Sequence, residues 1–111
     1  MVMATWVSEI VPTCDTEEQG AAVYDAIVRT LAVSDVATVS FVGIDTTTSS
    51  FVNAAFVPLL EILAFEEIKR RVRVVDSTRQ IRDMVKSRLI SEASRVLRES
   101  REDYNPGAQA I

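Results

Sequence analysis

Hydrophobic positions along the chain change their period several times, and each change marks an element. Met1 to Val11 (M-V-M-A-T-W-V-S-E-I-V) has the β-branched and aromatic composition of a strand, with imperfect alternation, and Pro12 ends it. Asp15 or Thr16 then caps a helix whose first turn holds Glu17 and Glu18, where the helix dipole favours carboxylates. Apolar residues at Ala21, Ala22, Tyr24, Ile27, Val28 and Leu31 give that helix one buried face over 16–32. Val36 to Val42 (V-A-T-V-S-F-V) is the clearest strand. Its almost continuous apolar run predicts burial on both faces, as in the central strand of a helix-covered sheet.

After Gly43 comes a run of five hydroxyl residues, Thr46 to Ser50, and then the most apolar stretch of the chain, Phe51 to Phe65. Ser49 or Ser50 is the expected N-cap of a helix over 51–64. Pro58 near its middle removes an amide donor and clashes with a preceding carbonyl, which predicts a kink or a break and restart. The apolar arc of this helix is too wide for one face, so a second side meets a neighbouring helix or a partner. Residues 66–71 read as a charged connection, and Val72 to Asp76 as a short strand. Ser77 or Thr78 caps a last helix over 79–101, with Ile81, Met84, Val85, Leu89, Ala93, Val96 and Leu97 as its stripe. At about 33 Å it is longer than a small sheet can cover, which leaves its last turns to solvent or another subunit.

Strand and helix therefore alternate three times. That order predicts an α/β fold with a small, largely parallel or mixed sheet of three to four strands, right-handed crossovers and a long C-terminal helix. Residues 1–103 read as a single domain and 104–111 as a disordered tail. The junction at Thr46 to Ser50 falls at a sheet end, where α/β folds build their sites.

Composition narrows the chemistry. The 111 residues are 48% apolar and 25% charged, which is ordinary for a globular domain. A net charge of −4 gives no global argument for nucleic acid or an acidic membrane surface. One cysteine and no histidine remove disulfide frameworks, histidine bases, Cys-His pairs and the common zinc sites. Three unclustered glycines leave no phosphate-binding loop. The first eleven residues lack a basic start and do not read as a signal peptide, and no apolar run is long enough to span a bilayer. A cytoplasmic protein is expected.

The strand V-A-T-V-S-F-V-G-I-D, the junction S-S-F-V-N-A-A-F-V-P-L-L, the strand V-R-V-V-D and the long closing helix together resemble a STAS-like family of small prokaryotic domains. There a strand runs into Ser-Phe-(Leu or Val)-Asn, matched here by Ser50, Phe51, Val52 and Asn53. The resemblance implies the α/β sandwich of the anti-sigma factor antagonists, non-enzymatic modules that dock onto an ATP-binding kinase-like regulator and accept a phosphate at the start of a helix. The parent motif is Asp-Ser-Ser-Gly. Laid on this sequence, it places the phosphoacceptor at Ser50, next to Ser49, with Thr48 where the motif has Asp and Phe51 where it has Gly.

The residues therefore give a protein-interaction module whose expected docking surface is Thr46, Thr47, Thr48, Phe51 and Asn53 around a phosphoacceptor at Ser50 or Ser49. No catalytic residue, cofactor or metal is expected. The alternative is a structural homodimer or oligomer sealed by the helix over 51–64 or by the end of the helix over 79–101. The other clusters have plainer readings. Lys69, Arg70, Arg71 and Arg73 follow Glu66 and Glu67 without interleaved aromatics and read as a solvated loop. Asp45 and Asp76 follow strands as turn residues. Cys14 sits near a helix start, which can lower a thiol pKa, but with no resolving cysteine or basic partner nearby it reads as incidental.

Overall fold

A computed structural model describes residues 3–104, and side chains over 4–96. Three four-residue strands, β1 (Met3–Trp6), β2 (Ala37–Ser40) and β3 (Val72–Val75), form an all-parallel sheet in the order β1-β2-β3. The registers pair Thr5 with Val39 and Val39 with Val74. Around the sheet lie α1 (Val7–Ile10), α2 (Glu17–Val33), α3 (Ser49–Ala55), a 3-10 turn (Val57–Glu61), α4 (Phe65–Arg71) and α5 (Arg79–Tyr104). The expected α/β class, the long closing helix and the central place of the second strand are all present. The 104–111 tail lies outside the described residues apart from Tyr104, the last residue of α5.

Among the described residues the helices cover one face of the sheet, and the double cover expected from β2 is met on the other face only by Ser40, which is 2% exposed. Ala37, Val39 and Phe41 are fully buried, with Val72 and Val74 packed against them. Their neighbours on the strands point the other way: Ala4 and Arg73 are exposed, and Trp6 and Val42 are 44% and 47% exposed. The cause is topological. Two right-handed crossovers stepping in the same direction, β1 to β2 to β3, place both connections on the same face. The alternation of Thr38, Ser40 and Val42 with Ala37, Val39 and Phe41 carries this one-sidedness.

Several elements differ in extent from expectation. The first strand stops at Trp6, because Val11 N–H closes a helical turn on the Val7 carbonyl at 3.0 Å and buries both valines. In α2 the buried line is Gly20, Val23 and Ile27, whereas Ala21 is exposed. A capping box starts it: Thr16 Oγ1 accepts from Gln19 N–H at 3.1 Å, and Gln19 Oε1 accepts from Thr16 N–H at 3.0 Å. The helix over 51–64 breaks at Phe56 and restarts as the 3-10 turn, with Pro58 near its start, where the missing amide goes unnoticed. Residues 66–71 belong to α4 rather than a loop. Glu66 and Glu67 open it and Lys69, Arg70 and Arg71 close it, matching the dipole, and Glu66–Lys69 pairs at 3.7 Å. Its single buried residue, Ile68, is too little to show as a period. The Arg71 guanidinium reaches the Asp35 carbonyl at 3.0 Å, tying α4 to the chain leaving α2.

Candidate docking site

At the carboxyl end of the strands three loops meet: 11–16, 41–48 and 76–78. The middle one is the hydroxyl run, and it is clamped from both sides. Thr48 N–H donates to the Cys14 carbonyl at 3.1 Å, and Thr48 Oγ1 donates to the Asp15 carbonyl at 2.8 Å. Thr48 Oγ1 also accepts from Phe51 N–H at 3.2 Å, so Thr48 is the N-cap of α3. One residue earlier, the Gln80 amide grips the Thr47 backbone twice: Oε1 accepts from Thr47 N–H and Nε2 donates to the Thr47 carbonyl, both at 3.1 Å. Thr78, the cap of α5 through its 3.3 Å bond from Ile81 N–H, also donates to the Asp45 carbonyl at 2.9 Å. The turn is thus held between backbone carbonyls of the loop before α2 and the Thr78 and Gln80 side chains at the start of α5.

Behind the turn, Phe51 is fully buried and meets Phe41 of the β2 end edge-on at 6.5 Å, while Phe56 stacks on the same ring at 6.3 Å. Phe51 is therefore a core anchor, not part of a contact surface. Thr47 is excluded as well: it is 5% exposed, and its Oγ1 is buried without a hydrogen-bond partner among the described residues. Thr46, Thr48, Ser49, Ser50 and Asn53 are exposed. The expectation that Ser49 or Ser50 caps the helix is corrected: the cap is Thr48, and the two serines occupy the first two helical positions. Asn53 Oδ1 accepts from Arg88 Nε at 2.8 Å and so ties α3 to α5.

Ser50 and Asn53 open onto a shallow cleft of about 490 Å³ between α2 and α3, which Glu17, Tyr24 and Asp25 line from the other side. The close approach of the two helices depends on Gly20, where a Cβ would stand 2.4 Å from the Phe51 carbonyl oxygen. Sequence reading passes over Gly20, because a glycine inside a helix carries no apolar signal. The grip of Gln80 on Thr47 and the bond from Thr78, expected only as a cap, to Asp45 are likewise invisible to it, since the partners lie 33 residues away.

The remaining polar groups at this end are structural. Ser40 Oγ donates to Asp76 Oδ2 at 2.8 Å, and Asp76 has a φ of 55°, which short polar side chains tolerate best after glycine. Asp45 and Asp76 thus serve as turn residues. Cys14 is buried, and its pKa is raised to about 11 by burial and by the Asp15 carboxylate, opposite to the lowering that a helix start can cause. Among the described residues no group of three or more His, Cys, Asp or Glu side chains is placed to hold a metal, and no helix is long and apolar enough to cross a membrane.

A one-sided parallel sheet, a hydroxyl turn clamped at the strand ends and a long closing helix define an α/β module of STAS-like form. The chain belongs to the family described as STAS-like domain of unknown function (DUF4325), whose profile matches residues 19–82, from α2 to the start of α5, and includes the clamped turn. No curated protein and no solved structure matches the chain.

Proposed function

We propose that this protein is a non-enzymatic, cytoplasmic docking module that binds a protein partner through the exposed face at the start of α3, with Ser50 as the residue whose phosphorylation switches the contact. The observation that carries the reading is the division of labour along the hydroxyl run. Thr48 does the capping, and Thr47 and Thr48 hold the turn through their backbones and the Thr48 hydroxyl. Ser49 and Ser50 stay exposed on a rigid platform and take no part in holding it. A hydroxyl on such a platform is accessible to a modifying enzyme, and its loss leaves the fold intact.

A phosphate on Ser50 would add about −1.5 to −2 charge to a cleft already lined by Glu17 and Asp25. An acidic or apolar partner surface would then be repelled. An ATP-binding kinase-like regulator is the partner class that the family likeness suggests. Incubation with such a regulator and ATP, followed by mass-spectrometric mapping, is expected to place phosphate on Ser50 or Ser49. Ser50→Asp is expected to abolish partner binding while leaving the melting temperature near that of the parent. No label on either serine, together with unchanged binding of Ser50→Asp, would refute the switch.

A further inference from the structure

An elongated apolar trough runs beside α5 and shares no residue with the Ser50 cleft. It consists of two adjoining hollows of about 370 and 410 Å³ that share Phe65 and Ile90. Together they follow α5 from Arg82 to Val96, about 21 Å. The inner hollow lies between α4 and α5 on the covered side of β3, the last strand of the sheet. Its walls reach the core: Phe56, Ile68, Val85 and Leu89 line it and are at most 7% exposed. Each hollow falls within the range of small-molecule sites, about 300–1,000 Å³ with mostly apolar walls and a few placed polar groups.

The two ends of the trough differ in charge. At the mouth of the inner hollow stand Lys69, Arg82 and Lys86, all exposed, and no carboxylate lines it among the described residues. The head groups of Arg82 and Lys86 have no hydrogen bond or ion pair with any described residue. Lys69 Nζ stands 5.6 Å over the Phe65 ring, where the two hollows join, and 3.7 Å from Glu66. The outer hollow has no cation in its lining and is walled by Leu60, Leu63, Ile90, Ala93 and Val96. Around α5, residues 82, 86 and 89 fall within about 60° of one another, so the two cations and the apolar floor share one face. The neighbouring Arg70 and Arg71 are engaged elsewhere, with the Glu67 carboxylate and the Asp35 carbonyl. Positive charge is thus gathered around one mouth rather than spread over a flat patch.

We propose that the trough binds a single-chain amphipathic anion, a fatty-acid-like carboxylate, with its head group among Arg82, Lys86 and Lys69 and its chain laid along α5 toward Val96. The carboxylate takes charge-assisted hydrogen bonds from the guanidinium and ammonium groups. The chain covers the Val85 and Leu89 floor from water, and each buried methylene adds to the affinity. A bilayer surface offers anionic heads but no free chain, and so leaves that floor uncovered. The site does not depend on the reading of Ser50.

Dodecanoate below its micelle-forming concentration is the probe, titrated into the full chain by calorimetry and followed by NMR of the Val85, Leu89 and Ile90 methyl groups. Saturable binding of one molecule per chain is expected, with those methyls shifting. Octanoate, which lacks four of the methylenes, is expected to bind less tightly by about tenfold or more. Dodecanol keeps the chain without the charge and is expected to bind about tenfold less tightly as well. Arg82→Glu/Lys86→Glu, at two exposed positions, is expected to weaken dodecanoate by about tenfold or more and to leave dodecanol unchanged, a contrast that misfolding cannot produce. If circular dichroism shows that variant unfolded, Arg82→Gln/Lys86→Gln takes its place with the same expectation. Absence of saturable binding, equal affinity for dodecanol, an unchanged affinity in the charge variant, or methyl shifts confined to other residues would overturn the proposal. So would a chain that ignores dodecanoate yet sediments with phosphatidylserine vesicles, since that assigns the cations to a membrane surface.

Discussion

Gly20→Ala tests the packing that positions the α3 surface. In an isolated helix alanine is better than glycine by about 1 kcal/mol, so helix propensity alone predicts stabilisation. The tertiary structure predicts the opposite sign. The new Cβ would lie 2.4 Å from the Phe51 carbonyl oxygen, 2.8 Å from Ala54 Cβ and 3.1 Å from Ala55 N. Ordinary carbon–oxygen contact is about 3.3 Å, so the helices must part by about 0.9 Å. None of the three obstacles is the free end of a flexible side chain, so no rotamer change relieves them. Overpacking costs about 1–3 kcal/mol, and a backbone obstacle puts this site at about 3. Subtracting the gain in propensity leaves a net loss of about 2 kcal/mol, a fall in melting temperature of about 8 °C. Thermal melts followed by far-UV circular dichroism measure it, with urea titration as a second readout. Because Phe51 lies in the first turn of α3, parting the helices also displaces Ser50, so partner binding should weaken with stability. A melting temperature equal to or above the parent's would refute the argument, since it would mean that propensity outweighs the α2–α3 contact.

The hydroxyl run offers a set of contrasting substitutions. Thr48→Ala removes a helix cap and the bond to the Asp15 carbonyl and should cost about 2 kcal/mol in urea unfolding, whereas Ser50→Ala should stay within about 0.5. Thr47→Val replaces a buried hydroxyl that has no partner among the described residues by an apolar group of the same shape, and should raise stability by about 1 kcal/mol. Cys14 gives a pH dependence. Its thiol is raised in the folded state to about 11 from an ordinary 9.0, so between those values the folded chain binds the proton more strongly than the unfolded one. Stability therefore falls as pH rises through that window, by up to about 1.4 kcal/mol per pH unit, and Cys14→Ala should flatten the decline in pH-dependent urea midpoints. The same burial should leave the folded thiol nearly unreactive to iodoacetamide at pH 8, and rapid alkylation there would contradict it.

These effects share one cause. The hydroxyl turn sits where three loops converge at the strand ends, and its shape is fixed by residues distant in sequence: Asp15 from before α2, and Thr78 and Gln80 from around the start of α5. What is left exposed at the start of α3 is therefore a consequence of what the clamp consumes. Thr47 and Thr48 are engaged in it, Phe51 is drawn into the Phe41 cluster, and Ser49 and Ser50 remain outside. Hydroxyl residues adjacent in sequence end with different roles because their neighbours in space differ.

The sequence by itself determined the alternation of the three strands with α2, α3 and α5, the central strand around Val39, the capped helix from Thr16 and the long helix after Thr78. Each follows from local patterns: period, caps and the proline at Pro58, which needs no distant partner to act. It also determined the removal of histidine and zinc-type chemistry, which follows from composition alone. The tertiary structure decided the rest. The α4 helix has one buried anchor, Ile68, and forms because its charge order suits the dipole and Arg71 reaches the carbonyl of Asp35. The sheet is open on one face because handedness, a property of whole connections, puts the connecting helices together. Which hydroxyl caps α3 was settled by the Asp15 carbonyl, 33 residues away, which fixes Thr48 in place. Local rules name the candidates for such a role; only the packing of distant segments chooses among them.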